Sequence, residues 1–334
     1  MRFDGDVPVG KASDAAGRAK PANVVVQAWY PAVSLSQVSR GMMDDVLAKP
    51  VSDAPIAAEP KLFPVVFFNP GWGGSQIGHM VQITALVRNG FVVVGIWHRP
   101  GPERPDRFLD FTSDAAYDAT RQAIGRLTVR DAGDNLMILE SLRRGATMPF
   151  SVLGHRLDYD RLGVLGYSYG GAVAAQTCWM DRSIRAAVNM DGWLFADAAA
   201  KGFSQPFLEM SDSTPLPSSS DLTANDTRRR LEAQQNITDD KFRQVRLARY
   251  GGYTLIVDNT NHQSFIDPQA RPLAGQILAA WSLRSQRNLT IVVDYTVAFF
   301  RKFLKGEPAP LFDISASPYP EAHLTVWTRH DLVP

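Results

Sequence analysis

Ser168 sits at the centre of Gly166-Tyr167-Ser168-Tyr169-Gly170, a G-x-S-x-G pentapeptide. The apolar run Leu162-Gly163-Val164-Leu165 precedes it and Gly171-Ala172-Val173-Ala174-Ala175 follows. That order reads as strand, sharp turn and helix, the setting of a nucleophile elbow. Glycines flank the serine because the turn is too tight for side chains and holds Ser168 in a strained backbone region. A serine hydroxyl is a poor nucleophile at neutral pH and needs a base, which needs an orienting acid. Of the six histidines, His79, His98 and His155 precede the serine, and His323 and His330 lie in a Pro-rich tail. His262 alone follows a late strand pattern, Tyr253 to Val257, so it is the expected base. Asp191, Asp212 and Asp258 all follow strand-like runs. Position leaves the acid open, chiefly between Asp191 and Asp212.

Acyl transfer also needs two backbone N–H groups facing the oxyanion. One belongs to the residue after the nucleophile, Tyr169. The other belongs to a loop after an early strand. Asn69-Pro70-Gly71-Trp72-Gly73-Gly74 follows the apolar run Pro64 to Phe68 and offers the Trp72 N–H, with Gly71 admitting the substrate. Trp97 and Trp193 end other strand runs and are candidates for the pocket wall, with core packing the plainer role for Trp97.

The elements that must position these residues follow from periodicity. Val24–Tyr30, Pro64–Phe68, Phe91–Ile96, Ala186–Met190, Pro206–Met210 and Tyr253–Val257 read as strands, mostly continuous apolar runs of buried parallel type. Helices are expected over about 78–89, Arg130–Arg144, 226–249 and Val292–Leu304. Residues 98–118, with three prolines and many charges, read as a rim loop, and 34–60 as a long excursion. Alternating strands and helices give an α/β class with a mostly parallel central sheet and helices on both faces. The economical organisation is one domain over 1–334, with 211–250 inserted as a helical lid. In that segment Arg228-Arg229-Arg230, Lys241, Arg243, Arg246 and Arg249 read as a solvated basic face.

Over the whole chain, 35 Lys plus Arg balance 34 Asp plus Glu, a net charge of +1 that gives no basis for binding nucleic acid. Apolar residues make up 45%, enough for a sizeable core. The single cysteine, Cys178, forms no intramolecular disulfide and reads as a small buried residue. Asp239-Asp240 lacks the His or Cys neighbours of a metal site, so no metal and no cofactor are expected. No apolar run reaches the roughly 18 residues of a membrane span, so stable insertion is not expected. The expected location is cytoplasmic if Met1 is the native start, and secreted or periplasmic if a leader has been removed.

These motifs, together with Gln27-Ala28-Trp29-Tyr30-Pro31-Ala32, Met190-Asp191-Gly192-Trp193, Gln205-Pro206-Phe207 and Asn261-His262-Gln263-Ser264-Phe265, resemble platelet-activating factor acetylhydrolases of the plasma and type II kind. The resemblance runs in order from about residue 24 to 305. It implies an α/β-hydrolase fold and a serine esterase acting on short-acyl, lipid-like or small esters. It also implies Asp191 as the acid, since the family places it after the strand following the nucleophile helix. The chain departs from the family at Pro70-Gly71, where His-Gly is frequent, and at Tyr167, where His is common. Alternatives are a lipase, a cutinase-like polyester or aromatic-ester hydrolase, and a non-catalytic binding homologue.

Overall fold

The computed structural model describes residues 3–5, 11–13, 19–21, 24–32, 55–74, 76–99, 104–144, 153, 155–268, 283–313 and 317–329. Most of the 34–60 excursion and His330 lie outside the described residues. The strands are β1 (Phe3–Gly5), β2 (Lys11–Ser13), β3 (Ala19–Pro21), β4 (Val24–Trp29), β5 (Phe63–Asn69), β6 (Val92–His98), β7 (Leu157–Tyr167), β8 (Ile184–Met190), β9 (Phe207–Ser211), β10 (Gly252–Val257) and β11 (Ala322–Trp327). The helices are α1 (Met80–Arg88), α2 (Asp114–Arg143), α3 (Tyr169–Met180), α4 (Ala196–Lys201), α5 (Ser219–Leu222), α6 (Thr227–Tyr250) and α7 (Leu283–Lys305).

One sheet runs in the order β1-β4-β6-β5-β7-β8-β9-β10-β11. Its centre, β6 through β10, is parallel, and β4, β1 and β11 add antiparallel edges. Strand alternation divides the core in two. Val65, Phe67, Val94 and Val164 pack with Ile138, Leu139, Ala174 and Ala175 of α2 and α3. Val66, Phe68, Val93 and Leu165 pack with Ile83 and Leu86 of α1 and with Val292, Phe299 and Phe300 of α7. The sheet is covered on both faces, which is why its strands read as unbroken apolar runs.

Three expectations need correction. The rim loop ends at Ser113, whose hydroxyl accepts from the Ala116 N–H and caps α2, so that helix starts some sixteen residues before Arg130. The closing helix begins at Leu283 rather than Val292. The Pro-rich tail contributes β11, paired antiparallel to β10 from Gly252↔Trp327 to Val257↔Ala322.

Candidate active site

Ser168 stands between β7 and α3 with φ 54° and ψ −126°, a left-handed conformation costly for a side-chain-bearing residue. The flanking glycines are required by close approach. A Cβ at Gly166 would lie 1.9 Å from the Gly170 carbonyl oxygen, and one at Gly170 would lie 2.0 Å from that of Asn69.

The hydrogen-bond ladder continues past the strand ends and lines up the loops. The Ser168 N–H donates to Met190 O at 2.8 Å, and the Asp191 N–H donates to Met210 O at 2.8 Å. Asp191 is therefore the lateral neighbour of Ser168, and Asp212 lies one strand further away. Asn189 secures the Asp191 turn, accepting from the Gly192 N–H at 3.0 Å and donating to Gly192 O at 2.7 Å. His262 opens a short 3-10 turn capped by Asn261, and Thr260 beside it exchanges hydrogen bonds with Ser213 in the loop after β9.

These loops bring Ser168, His262 and Asp191 into one line. His262 Nδ1 lies 2.6 Å from Asp191 Oδ2, and Nε2 lies 3.0 Å from Ser168 Oγ. A carboxylate only accepts, so Nδ1 carries the hydrogen and the lone pair on Nε2 faces the serine hydroxyl. Asp212 supports this line through its backbone, its N–H donating to Asp191 Oδ1 at 2.9 Å. Burial and the Asp191 charge push the Asp212 carboxyl upward.

Ser168, Asp191 and His262 open into a cleft of about 1300 Å³. Phe108, Phe111 and Trp193 form an aromatic side to it. The Phe108 and Trp193 rings are nearly parallel, 13° apart with centroids at 6.2 Å, and Trp193 Nε1 donates to Asn236 Oδ1 at 2.8 Å. Residues of the 211–250 segment, among them Leu216, Arg228 and Arg243, line the cleft as well. Trp97 lines a separate small cavity of about 20 Å³ behind the Gly71–Gly74 turn. Gly71 borders that cavity too, yet a Cβ on it would come within 3.2 Å of Ser168 Cβ. Gly74 N–H donates to Gly71 O at 2.9 Å, closing a turn with Trp72 and Gly73 at its centre. Tyr169 is the first residue of α3, so its N–H is free of the helical ladder.

Some site residues carried little signal in the sequence. Tyr167 packs against His262 and donates its hydroxyl to His262 O. Phe108 and Phe111 belonged to a stretch read as a plain loop. The basic face of α6 is only partly solvated: Arg246 is 2% exposed, over the rings of Phe203 and Phe207, and Arg243 pairs with Asp239. Buried Glu209 of β9 lies 3.8 Å from Arg243 Nε. It accepts from Asn189 Nδ2 at 2.7 Å, and burial lifts its pKa to about 8. His98, Asp131 and Asp134 have ligand-type atoms within 4.8 Å of one another, but Arg104 and Arg130 already occupy the Asp131 oxygens. Among the described residues no helix is long and apolar enough to cross a membrane.

Residues 127–225 match the family model of platelet-activating factor acetylhydrolase, isoform II. A bovine (Bos taurus) platelet-activating factor acetylhydrolase is 24% identical over 160 residues, which cover 40% of this chain and 36% of that enzyme. The aligned stretch thus spans about a third of the relative's length. Among solved structures, a ferulic acid esterase from Streptomyces cinnamoneus superposes with a TM-score of 0.64 at 25% identity, over 98% of this chain and 95% of the esterase. The fold is that of an α/β hydrolase, and the resemblance read from the motifs is borne out.

Proposed function

On the premise that the chain is an α/β hydrolase similar to platelet-activating factor acetylhydrolases, we propose that it is a serine esterase working through an acyl-enzyme. Ser168 Oγ attacks the ester carbonyl while His262 Nε2 takes its proton. Asp191 holds the Nδ1–H tautomer and stabilises the imidazolium that forms. The N–H groups of Trp72 and Tyr169 receive the oxyanion. His262 then returns the proton to the leaving alcohol, and water repeats the sequence to release the acid. Residues 211–250 act as a lid over the cleft. The observation that carries this reading is the hydrogen-bonded line from Ser168 Oγ through His262 to Asp191 at the cleft. The family match and the esterase neighbour support ester hydrolysis in turn.

Short acyl groups are the first expectation, from the likeness to acetylhydrolases. A second reading, an ester with an aromatic acyl group, is favoured by the parallel Phe108 and Trp193 rings and by the likeness to a ferulic acid esterase. The test is hydrolysis of p-nitrophenyl acetate, butyrate and octanoate and of methyl ferulate by the wild type and Ser168→Ala. Activity lost in the variant supports the serine esterase, and the preferred ester decides between the two substrates. Equal activity in both proteins overturns the proposal.

A further inference from the structure

Behind the two proposed oxyanion donors lies a charged cluster around buried Asp131, apart from the hydrogen bonds of the Ser168–His262–Asp191 line. Trp72 and Tyr169 come from different elements, the turn after β5 and the start of α3. Their side chains nevertheless form one unit, with the rings meeting edge to face at 87° and 5.2 Å between centroids. The Arg104 guanidinium lies over both, 5.1 Å from the Trp72 ring and 5.8 Å from the Tyr169 ring. A single carboxylate oxygen anchors the assembly. Asp131 Oδ2 accepts from Arg104 at 2.5 Å and from the Tyr169 hydroxyl at 2.8 Å. The other oxygen accepts from Arg130 Nε and Nη2 at 3.2 and 3.1 Å and faces His98 Nε2 at 3.5 Å, which in turn lies 2.8 Å from Asp134.

Asp131 is fully buried. Burial opposes its charge, but His98, Arg104, Arg130 and the Tyr169 hydroxyl outweigh that and hold its carboxyl below the ordinary value. An ionised carboxylate in the interior is costly even when paired, and apolar residues of the same volume often serve stability as well. The cluster therefore calls for a use beyond cohesion, and its geometry supplies one. Oxyanion stabilisation depends on the spacing of two N–H groups to a few tenths of an ångström. Here the side chains of both donor residues are clamped to one point on a rigid thirty-residue helix.

We propose that Asp131 is a positioning residue for the oxyanion hole, fixing Trp72 and Tyr169 relative to each other through Arg104 and the Tyr169 hydroxyl. This inference rests on the serine esterase reading. The arrangement acts on the transition state and leaves the substrate's cleft contacts alone, so its loss appears in kcat and in the binding of tetrahedral adducts.

The test counts active sites with a fluorophosphonate, then measures kcat per site, KM and the affinity of a trifluoromethyl ketone, which forms a tetrahedral adduct with the nucleophile. Asp131→Asn is expected to lower kcat about tenfold or more, below the hundredfold and greater cost of deleting a donor outright. It should weaken the ketone by the same factor, with KM little changed. Tyr169→Phe, which keeps the ring and removes only the hydroxyl, should show the same pattern to a smaller degree. It decides the matter if Asp131→Asn fails to fold. Arg104→Lys keeps the charge but loses the planar stacking surface, and should fall between them. Wild-type kcat and ketone affinity per counted site, with lowered melting temperature alone, would make the cluster purely structural and overturn the proposal. A wild type that is active yet neither labelled by the fluorophosphonate nor impaired by Ser168→Ala would instead sink the serine esterase reading, and this inference with it.

Discussion

Tyr167 holds His262 at two points. Its ring stacks on the imidazole with centroids 4.9 Å apart and planes at 28°, and its hydroxyl donates to His262 O at 3.0 Å. On the far side the buried His79 ring lies 5.0 Å from Tyr167, so the stack has a solid back. Burial drives the His79 pKa down to about 3, which keeps it neutral beside the site. Tyr167→Phe removes one hydrogen bond, a net loss of about 1 kcal/mol, and should lower kcat/KM about fivefold. Tyr167→Leu removes the stack as well and should cost more. Steady-state kinetics on a p-nitrophenyl ester checks both, and an unchanged kcat/KM in Tyr167→Leu would show that the ring does not orient the base.

Asp191 and Asp212 can be separated by amide substitution. Asp191→Asn places an N–H where His262 needs an acceptor and favours the wrong imidazole tautomer, so kcat should drop by roughly 10⁴-fold. Asp212 gives the line only its backbone N–H. Asp212→Asn keeps that group and should stay within about fivefold of wild type, the scale of one hydrogen bond. The reverse order of effects would transfer the acid role to Asp212.

Trp193 is the test of the aromatic wall. Trp193→Leu leaves the Ser168–His262–Asp191 line intact but removes the face parallel to Phe108. Loss of an aromatic contact worth about 0.5–1.5 kcal/mol should raise KM for methyl ferulate roughly two- to twelvefold. KM for p-nitrophenyl acetate should hardly move. Equal changes for both esters would place the acyl group elsewhere in the cleft.

Glu209 gives a prediction for stability against pH. Burial lifts its carboxyl from the ordinary 4.5 to about 8, with the Asp239 and Asp191 charges adding to the shift and Arg243 and Arg246 opposing it. Between those values the unfolded chain has released the proton that the folded chain keeps, so stability falls as pH rises across that window. The contribution is complete below 4.5 and lost above about 8. Glu209→Gln cannot titrate and keeps the acceptor for Asn189. Its melting temperature, relative to wild type, should therefore rise from about pH 5 to about pH 8. Parallel melting curves across the range would show that Glu209 is already ionised when folded.

The sheet centre was legible because its signals are local. Apolar runs such as Val65–Phe68 and glycines spaced around Ser168 declare strand and turn without reference to distant residues. The same holds for His262, which follows a clear strand. The choice between Asp191 and Asp212 was not local, because it depends on which loop lies beside Ser168 in the ladder. Helix α2 was half missed since in its first turns, Asp114 to Arg121, Tyr117 is the one buried side chain and no apolar repeat shows. Their sign was the Ser113 cap. Strand β11 alternates burial weakly and follows Pro318 and Pro320, which disguised it. Glu209 and Arg246 gave almost no sign, because a buried ionisable side chain is explained only by its neighbours from other elements.

Strand β11 also bears on the order in which the molecule is completed. Until Ala322–Trp327 have left the ribosome, β10 is an open edge with one row of unpaired backbone groups. The loop carrying His262 hangs from that strand, and β11 adds a contact beside its start, where His323 reaches Asp258 at 2.9 Å. Domains fold as units during synthesis, so the nascent chain carries Ser168 and Asp191 before the strand that flanks the His262 loop on its outer side is made. The last strand to join is thus the one that closes the sheet, and trimming the chain back past Ala322 would reopen the β10 edge beside the His262 loop.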